Sequence, residues 1–135
     1  ELANDVNRHM PDYVVRRIQR LLNDLSRSVR GSTVLLYGLS YKADTGDARE
    51  TPSVPICELL IDLGAHVQVA DPHVPDRQFP TGAARVEGSG SDAAAADLIV
   101  YLVDHSSFDH DEIVGSGTPV LDCRHALRGE QVTHL

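Results

Sequence analysis

STVLLYGLSYKADTGDARETPSVPICELLIDLGAHVQVADP, residues 32–72, holds a complete strand–loop–helix–strand unit. Residues 32–38 are a short apolar run without alternation, ended by Gly38, which predicts a strand buried on both faces. In residues 54–64, Ile56, Leu59, Leu60 and Leu63 fall on one face of a helix, and Gly64 follows as its C-terminal cap. Residues 65–72 are a second strand closed by Asp71-Pro72. Between the first strand and the helix lies a loop of two cations, Lys42 and Arg49, and several acids. It is far longer than the roughly 2–6 residues usual in α/β connections.

The same alternation continues on both sides. Downstream, SDAAAA (91–96) predicts a short helix with Ser91 as N-cap, DLIVYLVDH (97–105) a third strand, SFDHDEIVG (107–115) a short helix and TPVLDCR (118–124) a fourth strand. Residues 73–90 are irregular, with a weak edge strand near Ala84 to Val86. Upstream, Val14, Val15, Ile18, Leu21, Leu22 and Leu25 recur at helical spacing, with Arg16, Arg17 and Arg20 on the outer side. Pro11 suits the first turn of that helix, so residues 1–10 read as the tail of another helix broken there. Strands that are apolar throughout and alternate with helices predict an α/β fold. It would be a Rossmann-like parallel sheet sandwiched by helices, with an N-terminal helical extension.

The chain has 135 residues, 41% hydrophobic and 24% charged, the balance of one soluble folded domain. A formal net charge of -8 leaves no basic stripe for a nucleic acid, and no apolar run is long enough for a membrane span. Cys57 and Cys123 form no CxxC or Cys/His spacing, so a reduced, cytoplasmic protein is expected, with both as packing residues. The histidines show no ligand-like spacing, so no metal is expected. Glu1 in place of an initiator Met suggests a fragment of a longer chain.

In a parallel sheet, ligands sit beyond the carboxyl ends of the strands. With the first and third strands adjacent and the fourth beside the third, Lys42, Arg49 and Arg124 are expected to converge on one edge. The first loop is no dinucleotide fingerprint, because Gly38 is followed by Leu39 and Ser40, and no P-loop, because Lys42 does not open a helix. By composition it is a solvated connection. Its length and its place at the sheet edge favour a ligand wall built from side-chain cations. Tyr41 would stack on a ring or cover the sheet end, and Arg124 would clamp a ligand or neutralise Asp122. Asp104-His105 has the look of an acid–base pair, but at a strand end it more often supplies a helix cap and a surface histidine.

The run GLSYKADTGDARETP (38–52), then a helix, a Gly-Ala strand and Asp-Pro, closely resembles the C-terminal domain of the UDP-glucose/GDP-mannose dehydrogenase family. The family pattern is roughly G-x-[AS]-[FY]-K-x-[DN]-[TV]-x-D-x-R-E-[ST]-P. VNRHMPDYVVRRI (6–18) resembles the linker after that family's central helix, and LDCRHAL (121–127) its D-x-R motif. The resemblance implies residues 1–30 as the end of the central helix, linker and first helix, and 31–135 as a Rossmann-like UDP-sugar-binding domain. It also implies two successive NAD-dependent oxidations of a sugar C6 hydroxyl to a uronic acid. NAD would be held mainly by an N-terminal domain that this chain lacks, and the full-length protein would be a homodimer.

By the same resemblance Tyr41, Lys42 and Arg124 bind the substrate, and Arg49 reaches the NAD phosphates. HMPDYVV (9–15) and Tyr41-Lys42 look most like the branch acting on UDP-N-acetylglucosamine or UDP-N-acetylmannosamine. The family's Gly-rich NAD fingerprint and its catalytic-cysteine motif are both absent. The expectation is a domain with no catalytic residue of its own, inactive alone. The competing reading is a freestanding Rossmann-like module that binds a small phosphorylated ligand.

Overall fold

The computed structural model describes residues 2–135, with side chains from Met10 onward. Six strands, β1 (Thr33–Tyr37), β2 (His66–Ala70), β3 (Ala84–Arg85), β4 (Leu98–Tyr101), β5 (Val120–Asp122) and β6 (Val132–His134), form one parallel sheet in the order β3-β2-β1-β4-β5-β6. Helices α1 (Leu2–Asp24), α2 (Ser53–Asp62), α3 (Gly90–Ala95) and α4 (His110–Gly115) cover it. β1 is central, with Val34 opposite Val67 on one side and Leu98 on the other. Successive side chains point to opposite faces. Val34 and Leu36 join Val67, Val69, Leu98 and Val100 in the core under α1 and α2, while Leu35 and Tyr37 join Ile99 and Tyr101 in the core with α3 and α4. Burial on both faces is why these strands read as apolar throughout.

Four details differ from the sequence expectation. α1 runs unbroken through Pro11, and its Val14, Val15, Ile18 and Leu22 lie in the same core as the sheet. The missing proline N–H is visible in the sequence, whereas the docked face that anchors the helix against that loss of about 3 kcal/mol is not. α3 is capped by Ser89, whose Oγ accepts the Asp92 N–H while the Asp92 carboxylate accepts the Ser89 N–H in return. β4 stops at Tyr101, because the N–H groups of Leu102 and Val103 both turn onto Tyr37 O, at 2.9 and 3.1 Å. Gly38 makes that approach possible: its φ is +97°, and a Cβ there would lie 2.8 Å from the Val103 nitrogen. β6 is only three residues long and partly exposed, too short to leave a pattern.

β1 leads along the chain to β2 on one side, yet its other neighbour is β4. That reversal places the turns after β1, β2 and β4 together at the carboxyl edge, where open α/β sheets take ligands.

Candidate functional site

The turns after β1, β2 and β4 are tied together by one buried carboxylate. Asp71 follows β2, and its Oδ2 accepts the N–H groups of Leu39 (2.7 Å) and Ser40 (3.1 Å). Its Oδ1 accepts those of His73 (2.9 Å) and Val74 (3.2 Å). The fifth partner is His105 Nε2 at 2.9 Å, in a ring that is 0% exposed. Burial by itself raises the Asp71 carboxyl. The hydrogen bonds from His105, Leu39 and His73 outweigh it and hold the group well below the usual carboxylate range. His105 Nδ1 in turn accepts the Asp44 N–H at 2.8 Å. Asp44 has φ +61°, and its carboxylate accepts both the N–H and the hydroxyl of Ser106. Higher in the loop, Ser40 Oγ and Thr45 Oγ1 both donate to Lys42 O, and Tyr41 N–H donates to Asp47 O.

Above this frame stand the residues singled out from the sequence. Tyr41 is 57% exposed, and Lys42 beside it is exposed too. Both line a cleft of about 1180 Å³ between α1, α2 and the loop, together with Arg49. Five acids, Asp12, Asp47, Glu50, Glu58 and Asp62, line the same cleft against those two cations. A diphosphate would therefore meet repulsion on its acidic walls, and only Lys42 and Arg49 suit an anion. Arg49 is held by Asp47 through Nε–Oδ1 and Nη2–Oδ2 contacts of 3.0 Å each, and the guanidinium draws the Asp47 carboxyl down to about 2.

Arg124 does not join them. It follows β5, two strands from β1, a lateral step of about 10 Å, and it is not on the cleft lining. Its main-chain N–H donates to Asp122 Oδ1, while Leu127 N–H occupies Oδ2. Among the described residues its exposed guanidinium forms no ion pair, so it does not neutralise Asp122. It lies in the field of Asp104.

The chain matches the model of the UDP-glucose/GDP-mannose dehydrogenase family, UDP binding domain, over residues 35–129. It belongs to that family. It is 33% identical over 106 residues to UDP-N-acetyl-D-mannosamine dehydrogenase of Methanococcus maripaludis, a match covering 78% of this chain and 23% of the relative. It is also 33% identical over 113 residues to UDP-glucose 6-dehydrogenase of Rattus norvegicus, covering 83% of this chain and 22% of the relative. The crystal structure of NDP-N-acetyl-D-galactosaminuronic acid dehydrogenase from Methanosarcina mazei superposes with a TM-score of 0.81 at 29% identity, covering 99% of this chain and 30% of that one. The chain thus spans less than a quarter of the length of these curated relatives.

In this UDP-glucose/GDP-mannose dehydrogenase family member, sequence neighbours Asp104 and His105 serve different groups. Asp104 accepts from Tyr101 Oη at 2.6 Å and pairs with His110 Nε2 at 2.7 Å, while Asp109 caps α4. His105 is buried rather than a surface residue. The expectation failed because adjacency in sequence does not fix which groups two side chains reach past a strand end. The signal that would have found the Asp71–His105 pair is strand order, since both residues follow strands that flank β1.

Asp44, His73 and His105 each offer a ligand atom, all within 4.8 Å of one another. The Asp44 N–H already occupies the Nδ1 lone pair, so the cluster is built as a hydrogen-bond junction. Cys57 is buried and Cys123 half-buried, and desolvation pushes both thiols up to about 12, which disfavours the nucleophilic thiolate. No helix among the described residues is long and apolar enough to cross a membrane.

Proposed function

We propose that this chain is the UDP-sugar-binding part of a nucleotide-sugar 6-dehydrogenase, which oxidises the C6 hydroxyl of a UDP-hexose or UDP-N-acetylhexosamine to the uronate in two NAD-dependent steps. The observation that carries the reading is the exposed Tyr41–Lys42 pair, standing on a buried frame at the carboxyl end of the central strand. Lys42 offers a point charge to the nucleotide sugar and Tyr41 an aromatic face or hydroxyl. Arg124, with its guanidinium free among the described residues, offers a fork that suits a phosphate.

NAD supplies the hydride acceptor when it is bound. The residues fit it only at the rim: the β1 loop has no Gly-rich cradle, and Arg49, its side chain 81% exposed, would reach outward to the NAD phosphates. An N-terminal domain outside this chain would hold the rest. Oxidation to the acid also needs a reactive thiol, and of the two cysteines here Cys57 is buried and Cys123 half-buried, with desolvation pushing both thiols up to about 12. The chain is therefore proposed to bind and not to turn over alone, and the whole protein to act as a cytoplasmic homodimer.

Calorimetric titration of the chain with UDP, UDP-glucose and UDP-N-acetylglucosamine tests this. Lys42→Ala should weaken UDP binding by about 1–3 kcal/mol, the loss of a charge-assisted hydrogen bond. Equal UDP affinity in wild type and Lys42→Ala would sink the assignment of Lys42. NADH production by the chain alone would overturn the division of labour.

A further inference from the structure

His105 is fully buried and has no role in contacting the proposed ligand, yet two of its ring atoms are committed in opposite senses. The Asp44 N–H donates to Nδ1 at 2.8 Å, so Nδ1 carries a lone pair and the ring proton sits on Nε2. That proton is aimed at Asp71 Oδ2 at 2.9 Å, with Ser40 Oγ on the same side at 3.3 Å. The ring is thus an acceptor toward the loop and a donor toward the buried carboxylate. His73 at 4.7 Å and Phe108 at 5.2 Å, between ring centroids, flank it.

The placement matters because of what lies between the ties. Asp71 fixes the loop at Leu39 and Ser40, and His105 fixes it again at Asp44. Only residues 41–43 remain between the anchors, all of them exposed, and two of them are Tyr41 and Lys42. The Asp44 N–H faces the ring with the backbone in its left-handed conformation, and Ser106, the next residue after His105, then holds the Asp44 carboxylate. One end of the three-residue span is set by the carboxylate and the other by the imidazole.

We infer that His105, as the Nε2-protonated neutral tautomer, is the positioning residue for Tyr41 and Lys42, fixing their span through the lone pair on Nδ1. The inference rests on the reading that these two residues contact the nucleotide sugar. A side-chain amide separates the two roles of the ring. His105→Asn keeps an acceptor where Nδ1 lies, and His105→Gln keeps a donor where Nε2 lies.

The test uses the 135-residue chain with three readouts: nitrogen–proton correlation spectra of the wild-type imidazole, amide hydrogen exchange at Asp44 with Val100 in β4 as internal reference, and UDP titration. The expected result is an imidazole protonated at Nε2 alone at neutral pH. In His105→Gln, Asp44 protection and UDP affinity should each fall about three- to tenfold, the scale of one hydrogen bond, with Val100 protection retained. His105→Asn should hold both near wild type. A ring protonated at Nδ1, or a His105→Gln variant with wild-type exchange at Asp44 and wild-type UDP affinity, overturns the inference. So does a His105→Asn variant as impaired as His105→Gln. Where a variant fails to fold, the wild-type tautomer still tests the inference, since a ring protonated at Nδ1 overturns it. Absence of UDP binding by the wild type would strike the functional reading instead, while tautomer and exchange still report whether His105 holds the span.

Discussion

Asp71→Asn removes the charge of the buried carboxylate with almost no change in its shape. If the amide oxygen takes the place of Oδ2, it can still face the donors of Leu39, Ser40 and His105, but the amide NH2 then meets the N–H groups of His73 and Val74. Two donors lose their acceptor, the Val74 N–H buried and the His73 N–H part-buried, at about 1–3 kcal/mol for the first and less for the second, so the fold should lose about 1–5 kcal/mol; the opposite amide orientation strands three donors and costs more. Urea unfolding at pH 7, followed by circular dichroism, measures the difference. The pH dependence gives a second check. The folded carboxyl lies below its ordinary value, so its stabilisation is complete above the unfolded pKa of about 3.9 and drains away as pH falls through the lower folded value. The gap between wild type and variant should therefore be full at neutral pH and narrow below about pH 4. A difference under about 1 kcal/mol at pH 7, or a gap that widens in acid, would refute the reasoning.

Gly38→Ala forces a side chain onto a φ of +97° and against Val103, and should cost about 2–6 kcal/mol in the same assay, combining backbone strain with overpacking. Arg124→Ala should leave the unfolding free energy within about 0.5 kcal/mol of wild type, since the guanidinium holds nothing among the described residues. It should also lower UDP affinity by about 1–3 kcal/mol in calorimetry, and unchanged affinity removes Arg124 from the site. A disulfide reagent at neutral pH should label Cys57 and Cys123 slowly in the folded chain and quickly in urea, because burial pushes both thiols up to about 12. Fast labelling of Cys57 in the folded state would contradict its burial, and of the half-buried Cys123 its raised thiol.

The sheet was legible because strands buried on both faces, such as Thr33–Tyr37 and Leu98–Tyr101, leave unbroken apolar runs, and because Gly64 and Asp71-Pro72 punctuate the unit between β1 and β2. The neighbours of β1 and the long loop after it followed from general rules of α/β winding. Pro11 misled, since a proline's lost hydrogen bond is local while the docking of Val14, Ile18 and Leu22 is tertiary. The Asp71–His105 pair was illegible for a related reason. Its members stand 34 residues apart, and each looks ordinary until strand order brings both beside the turn after β1. Lys42 and Arg49 share one loop and line one cleft, whereas the expected convergence of Arg124 with them left out the lateral distance between β1 and β5.

Four of the five donors to Asp71 belong to the main chain. For an engineer this separates scaffold from alphabet. The junction dictates backbone paths at 39, 40, 73 and 74, and the side-chain chemistry that a substitution can delete comes from Asp71 and His105, with the Ser40 hydroxyl beside the imidazole. Positions 41–43 then form a short exposed window with both sills fixed. A randomised library confined to that window should vary what the domain recognises while its members keep a common loop geometry and a common melting behaviour.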